Sequence, residues 1–422
     1  MSHVHVPRAP SPVAIPTDLS IYPGPALLSG IDKGPGLEAH REQYGPLPRL
    51  GIDELVDGTE RLRMRGRGGA AFPFAIKLRA AASGRKPVVV VNLSEGEPAS
   101  AKDSALAVTR PHLVLDGAVV TARALRATEI HLVLPGDRPA VVSAIHRALA
   151  ERRDKIPMHT HRADPRFVAG QAQAVLQLIA GKANLPVTAW QPEAVSGHRG
   201  RPTLLSNAET WAQVGRLALV GEGGYARQGT EAEPGTTLLT ITSGDIPDVF
   251  EVPFGTRLLD VLPREMHGRP AVIGGFHGSW ATWQTLSSAV VSVDGMKAAG
   301  SPLGAGVVIS APECPVRFTS RIVDYLAGES AGRCGPCFNG LPALAAALQG
   351  VAFGRGPLSR VEELSSVVVR RGACAHPDGT VRLVSSLLAV FPAEVEAHLA
   401  GGDCGAWREA GPARGDHEVV AS

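Results

Sequence analysis

Two groups of residues in this chain have the types and spacing to do chemistry. The first is Arg65-Gly66-Arg67-Gly68-Gly69-Ala70-Ala71-Phe72-Pro73, followed by Lys77. Glycine has no Cβ, so bare N–H groups in such a loop can converge on phosphate oxygens. Leu78, Arg79 and Ala80 continue as helix, which would put the loop at a positive helix end. The pattern is neither the GxGxxG dinucleotide fingerprint nor a P-loop, and a solvated turn is the plain alternative. The second group is Cys334-Gly335-Pro336-Cys337, with Cys374 37 residues later. A CxxC ahead of a helix reads as a redox pair, as buried thiols, or as ligands of an iron–sulfur cluster completed by a distant cysteine. The redox reading normally needs a βαβ setting, which is not seen here. Three clustered cysteines fit zinc poorly. His376 is a candidate extra ligand or simply a loop residue.

Two polar segments could face the first loop. Asn92-Leu93-Ser94-Glu95-Gly96-Glu97-Pro98 follows a buried apolar run, Val88 to Val91. Ligands of open α/β sheets bind just past the carboxyl ends of strands. There Asn92 offers an amide, and Glu95 and Glu97 offer acceptors for ribose or ring N–H groups. The alternative is a polar strand exit. Arg201 to Thr210 carries Ser206 and Asn207 at a helix start, where Ser206 and Glu209 have capping-box spacing. Lys102-Asp103 reads as an exposed turn.

The elements that must position these residues alternate. Strands at Val88–Asn92 and Glu129–Pro135 are separated by an Ala-rich helix, Gly117–Ala127. Helices at Ala140–Arg152 and Val168–Ala180 follow, then a loop from Pro186 to Pro202. This is the pattern of a largely parallel sheet. Thr237–Thr242 and Val249–Val252 bracket Gly244-Asp245-Ile246-Pro247 as a hairpin. A short helix at Arg257–Leu262 and a strand at Ala271–Ile273 fit a small β-grasp-like module. From Val316 the pattern is helical. The expected layout is an arm over 1–49, an α/β domain over 50–232, a β-grasp domain over 233–312, a helical domain over 313–403 and a tail over 404–422.

Composition narrows the function. The 422 residues are 44% hydrophobic with a net charge of +2, which excludes a bulk electrostatic role on nucleic acid. No apolar run is long enough to span a membrane, and Met1–Pro16 lacks the apolar core of a signal peptide. The chain is expected to be cytoplasmic, with Met1–Pro16 disordered and the tail after Trp407 likewise. Its five cysteines, Cys314, Cys334, Cys337, Cys374 and Cys404, would then be reduced and available to metal.

Taken together, the motifs resemble the NADH-binding, flavin-carrying subunit of bacterial respiratory complex I and its soluble-dehydrogenase relatives, from about Leu50 to Leu399. Arg65 to Pro73 with Lys77 is similar to the family's GRGGAGFP…K loop. Asn92 to Pro98 is similar to NxDExEP, Phe167 to Val175 to YxCGEExAL, and Arg201 to Thr210 to RPTxxNNVET. Thr236 to Gly278 resembles its soluble-ligand-binding β-grasp domain. Glu329 to Cys337 with Cys374 resembles ESCGxCxPC…C. The resemblance implies a Rossmann-like domain for flavin mononucleotide (FMN) and NADH, a β-grasp domain and a helical domain holding a 4Fe-4S cluster. It implies FMN binding by Gly66, Arg67, Gly68, Lys77, Asn92, Gly170, Ser206 and Asn207, with Glu95 and Glu97 nearby and a dinucleotide near Phe72. It implies cluster ligation by Cys334, Cys337 and Cys374. Electrons would pass from NADH to a ferredoxin or a membrane reductase, with the chain peripheral to a membrane complex and not inserted.

The chain departs from the family at marked places. Ala331 stands where the family has its first cluster cysteine, and Cys404 is the candidate fourth ligand, with Cys314 behind it. Gln171 and Ala172 replace a glutamate pair beside the flavin and nicotinamide. Ser94 replaces an aspartate, Ser206 an asparagine, and Ala80 lies near the place of a stacking aromatic, while Trp190 lies in the loop where another stacking aromatic would come. A degenerate scaffold without hydride chemistry, or a flavin protein using another donor, are the alternatives these changes raise.

Overall fold

The computed structural model describes residues 19–311 and 313–401. In chain order the strands are β1 Ser20–Ile21, β2 Val88–Asn92, β3 Ile130–Pro135, β4 Met158–Ala163, β5 Thr203–Asn207, β6 Thr236–Thr242, β7 Asp248–Pro253, β8 Ala271–Ile273, β9 Ser279–Ala281 and β10 Val307–Ser310. Four of them form an all-parallel sheet in the order β4-β3-β2-β5. Val88 to Val91 in β2 are wholly buried, because helices cover both faces of a parallel sheet. On one face the Pro111–Leu125 and Ala208–Tyr225 helices cross in direct backbone contact. A Cβ at Gly117 would collide with the Trp211 carbonyl oxygen, so glycine sets that crossing. Buried Trp211 donates from Nε1 to Val90 O at 3.1 Å and Ser206 O at 3.0 Å, locking the helix onto the sheet.

The second sheet has six strands in the order β1-β7-β6-β10-β8-β9. The expected hairpin is its β6–β7 pair, and β10 runs parallel to β6 and antiparallel to β8. Side chains alternate across a strand. Val308 therefore joins the sheet's own core with Leu239 and Ile241. Val307 and Ile309 face the C-terminal helices, against Val316, Leu344 and Leu387. Those helices are Pro315–Gly328, Leu341–Ala352, Leu358–Val368, His376–Val390 and Pro392–Leu399. Among the described residues, no helix is long and apolar enough to cross a membrane.

Several expectations change. The described part of the arm is built into the body: β1 pairs with β7, and Leu27 and Leu28 are in the main core. The physical reason is Glu251 of β7, whose carboxylate accepts the N–H groups of Ala26, Leu27 and Leu28 at 3.0, 2.6 and 2.9 Å. The Leu37–Tyr44 helix is held by Asp116, which takes His40 Nε2 and Arg41 Nη1 at 2.9 Å each. The helix expected at 257–262 is a single 3-10 turn, Leu258–Asp260, and that at 168–180 is a 3-10 turn, Phe167–Gly170, then Ala172–Ile179. Met1–Pro16, Cys404 and the tail lie outside the described residues.

Candidate functional site

The carboxyl edge of the parallel sheet gathers the polar motifs. Asn92 and Asn207 end β2 and β5 and are register partners. Asn207, not Ser206, caps the following helix: its Oδ1 accepts from Thr210 N at 3.4 Å, while Ser206 still pairs in β5. Strand pairing through residue 207 moves the cap by one position, leaving the half-buried Ser206 hydroxyl at the edge. Asn207 Nδ2 donates to Arg67 O at 3.3 Å, and Arg67 N donates to Thr210 Oγ1 at 2.9 Å. The glycine loop is thereby fastened over the edge.

Within the loop, Gly69 and Ala71 have positive φ of 91° and 47°. Gly68, Gly69, Ala70 and Ala71 donate their N–H groups to no other described residue. A Cβ on Gly68 would meet nothing within 4 Å. Such a run of open donors on alternating backbone is an anion cradle, and it fits a phosphate-bearing flavin or dinucleotide. The basic side chains do not share that task as expected. Arg67 is buried and turned inward: Nη2 donates to Thr236 O at 3.1 Å and the guanidinium stacks on Phe254 at 4.7 Å. It anchors the loop. Arg65 pairs with Asp294 at 2.8 Å. Lys77 Nζ is held by Glu193 Oε1 at 2.8 Å and donates to Leu205 O at 3.3 Å. Phe72 and Trp190 are exposed rings, free to stack on a planar ligand.

Asn92 ties its own neighbourhood together. Nδ2 donates to Gly170 O at 2.8 Å, and Oδ1 accepts from Ser94 N at 3.1 Å and Ser94 Oγ at 2.7 Å. Gly170 packs closely here, since a Cβ there would lie 2.8 Å from Ser94 Oγ and displace that hydroxyl. Glu95 is not a free acceptor for ribose. Its buried carboxylate takes Ser100 Oγ, Asp103 N, Ser104 N, Ser104 Oγ and Arg138 Nη1 at 2.6–2.9 Å. Burial opposes its charge, but Arg138, Ser104 and Lys102 outweigh that and hold it below the usual carboxylate range. Glu97 accepts from Ala99 N at 3.2 Å and Phe276 N at 2.9 Å, and burial lifts it to about 7. Lys102-Asp103 is no exposed turn either. Lys102 Nζ lies 3.1 Å from both Asp103 and Glu209 carboxylates, all buried beneath Asn207. Burial raises Asp103 to about 6.

The cysteines assemble at the start of the helical domain. Cys334 precedes a π-helical turn, Pro336–Gly340, that contains Cys337, a distortion frequent at functional sites. Cys334 and Cys337 both lie in the electrostatic neighbourhood of Cys374. Burial raises the Cys337 thiol, but the Ser330 hydroxyl and the Arg333 and Ala331 N–H groups outweigh it and hold it below the usual thiol range. Three convergent thiols with donors aimed at sulfur fit an iron–sulfur cluster. At the fourth position Ala331 puts a methyl group, buried against Cys337 and Val168. His376 does not fill it: Nδ1 meets His277 Nε2 at 3.0 Å and Nε2 meets Leu326 O at 2.8 Å. Cys314 is engaged elsewhere, 3.0 Å from His398 Nε2.

One segment joins the two sites. Arg166 Nη2 donates to Ser330 O at 3.0 Å and Phe167 N to Glu329 at 2.7 Å. Gly170 meets Asn92, and the next side chain, Gln171, lies close enough to the Cys374 thiol to oppose the rise that burial gives it. Gln171, expected across the flavin pocket, occupies the N-cap position of the Ala172–Ile179 helix and neighbours Cys374.

Comparison with known proteins agrees with this geometry. The chain matches the family model of the Nuo51 FMN-binding domain over residues 59–216. It matches that of the NADH-ubiquinone oxidoreductase-F iron-sulfur binding region over residues 317–398. The F 2 subunit of NADH-quinone oxidoreductase in Rhizobium meliloti (strain 1021) is 29% identical over 402 residues, covering 88% of this chain and 94% of that one. The NADP-reducing hydrogenase subunit HndC of Solidesulfovibrio fructosivorans is 26% identical over 380 residues, covering 83% and 77%. A chain of the NAD+-reducing [NiFe]-hydrogenase crystal structure, H2-reduced state, superposes with TM-score 0.79 at 24% identity. That superposition covers 90% of this chain and 68% of the other, and it is a likeness of fold.

Proposed function

Since the chain belongs to the family of NADH-oxidising, FMN- and iron–sulfur-carrying F subunits, we propose that it is an electron-input subunit working within a larger assembly. The observation that carries this reading is the Arg166–Gly170 segment, whose Gly170 carbonyl accepts from Asn92 of the flavin edge at one end while Arg166 and Phe167 N donate to Ser330 O and Glu329, beside the cysteines, at the other. FMN supplies conversion of a hydride into single electrons, and an iron–sulfur cluster supplies one-electron transfer. The residues bind and orient. Open N–H groups of Gly68 to Ala71 receive phosphate, with Gly66 and Gly68 keeping the approach clear. The Ser206 hydroxyl meets the ligand edge, and Phe72 stacks on the dinucleotide. Lys77 meets anionic ligand by exchanging its Glu193 partner. Asn92, Gly170, Asn207, Arg67 and Glu95 hold the loops in place, and Glu97 fixes the 274–278 turn. Cys334, Cys337 and Cys374 hold the cluster. The onward acceptor is a ferredoxin-like protein or a membrane reductase.

The test is anaerobic reconstitution, then FMN and iron content per chain and NADH-driven reduction of an artificial dye. Bound flavin and iron with turnover lost in Lys77→Ala supports the reading. A second reading, a non-catalytic scaffold, draws on the Lys77–Glu193 pair and on Ala331. It predicts flavin or iron binding with no NADH turnover. Protein that binds neither FMN nor iron overturns the first reading.

A further inference from the structure

The opposite, amino-terminal edge of the parallel sheet carries a cluster that electron transfer does not use. His131 on β3 is the register partner of His159 on β4, and His161 lies two residues along on the same face. The His131 ring lies 5.2 Å from His159, 5.1 Å from His161 and 5.1 Å from His198, measured between centroids. Four imidazoles so close cannot all be cations, because like charges at this spacing repel. Neutral rings each present a lone pair.

Glu129, His131 and His198 offer ligand atoms that all lie within 4.8 Å of one another. Glu129 Oε2 is 3.5 Å from His131 Nε2 and 3.7 Å from His159 Nε2. Two ligands of a tetrahedral ion with bonds of 2.0–2.1 Å sit about 3.3 Å apart, so a small closure suffices. His131 and His198 are 5% and 3% exposed. Their Nε2 and Nδ1 atoms are buried without a hydrogen-bond partner among the described residues. A buried lone pair with no donor costs free energy unless something binds it. The surroundings also resemble a metal's outer shell. His131 Nδ1 lies 2.9 Å from His161 Nε2, so donation to His161 leaves His131 Nε2 as the free donor atom. Arg201 holds the other oxygen of Glu129, turning Oε2 toward the histidines.

We propose that Glu129, His131, His159 and His198 bind one zinc-type divalent transition-metal ion. Mixed nitrogen and carboxylate donors suit such an ion, whereas calcium and magnesium prefer oxygen. The ion clips β3 and β4 to the segment ahead of β5. That segment also carries Glu193, the partner of Lys77, so the clip would steady one wall of the flavin cleft from behind.

The test uses the full chain, purified anaerobically with its iron retained. Zinc is added, and unbound metal is removed by dialysis. Zinc, iron and flavin per chain are counted, and X-ray absorption at the zinc edge reads the ligand shell. The expected result is about one zinc per chain, with only nitrogen and oxygen near 2.0–2.1 Å. His131→Ala and His198→Ala should each lose that zinc while keeping iron and flavin. His161→Ala should weaken it roughly 10–100-fold. If these variants misfold, the wild-type ligand shell decides alone, with Glu129→Gln as a milder variant expected to weaken binding. Zinc that dialyses away from the wild type, that shows sulfur at about 2.3 Å, or that persists in folded histidine variants would overturn the site.

Discussion

Replacing Ala331 by cysteine tests the cluster site most directly. Ala331 is 5% exposed, and its methyl group packs on Cys337 and Val168 in the small core beside the cysteines. Its N–H is one of the donors that favour an anionic Cys337 sulfur. Cys334, Cys337 and Cys374 provide three thiolates among the described residues. A cubane cluster takes four, so with three thiolates one iron is weakly held or lost. Ala331→Cys adds the fourth thiolate at the spacing the other two local cysteines repeat. Without iron, the added sulfur crowds a closed core, at a cost of about 1–3 kcal/mol. With iron, ligation should more than offset that cost. After identical anaerobic reconstitution, iron should rise from about three to about four per chain. The paramagnetic signal of an oxidised three-iron centre should fade in the variant. The iron-free variant should melt below the iron-free wild type, and the order should reverse after reconstitution. If the wild type already holds four irons tightly, or if the variant holds no more iron than the wild type, a three-thiolate site is wrong.

Four further outcomes follow from the same geometry. Glu193→Gln frees Lys77 from a 2.8 Å ion pair; FMN should bind about fivefold tighter, near 1 kcal/mol, and equal or weaker binding in a flavin fluorescence titration would count against an anion role for Lys77. Lys102→Met leaves Asp103 and Glu209 buried without their shared cation; denaturant unfolding should show a loss of about 3–5 kcal/mol, and a loss under 1 kcal/mol would show that the carboxylates are relieved otherwise. Glu97 is raised from 4.5 to about 7 by burial, so its protonated form contributes stability that is full below 4.5 and lost as pH rises through 7. Wild-type stability relative to Glu97→Ala should therefore fall by about 3 kcal/mol between those limits, and a flat difference in urea unfolding refutes the shift. Gln171→Glu puts a negative charge beside Cys374; the cluster's midpoint potential in a redox titration should drop, because added negative charge lowers potentials, and an unchanged potential would remove Gln171 from the cluster's surroundings.

How far the sequence discloses this site depends on whether residue type or side-chain direction is at stake. The Val88–Val91 run, the alternation of strands and helices and the β6–β7 hairpin are written in local patterns, and the sheets follow them. The glycine loop announces a close backbone approach, and the thiols announce a metal site by spacing. Direction is another matter. Arg67 and Glu95 are the residue types that bind phosphate and ribose, yet both turn inward, because Phe254 and Arg138 lie far along the chain. Lys102-Asp103 looks like a surface turn until Glu209 is brought beside it. Ser206 and Asn207 are both good caps, and only the pairing of Asn207 with Asn92 chooses between them. Residues 19–49 join the core through Glu251, a partner more than two hundred positions away. His159-Thr160-His161 has the period of a strand with both rings on one face, a local signal of ligation, but His131 and His198 come to it only through sheet pairing.

Two of the departures from the family pattern meet at the cysteine site. Ala331 and Gln171 both neighbour the cysteine site, one by packing on Cys337 and the other beside Cys374. An amide in place of a carboxylate at Gln171 removes a negative charge from near Cys374. That change favours the reduced, more negative state of a bound cluster. A missing thiolate that takes its iron with it leaves the net charge of the site nearly unchanged. The glycine cradle, by contrast, keeps its open donors, and Asn92 and Asn207 keep the bonds that frame it. Ser94 and Ser206 are the departures at that edge. A chain changed in this way would draw electrons from its flavin edge more strongly and would suit an acceptor of correspondingly higher potential.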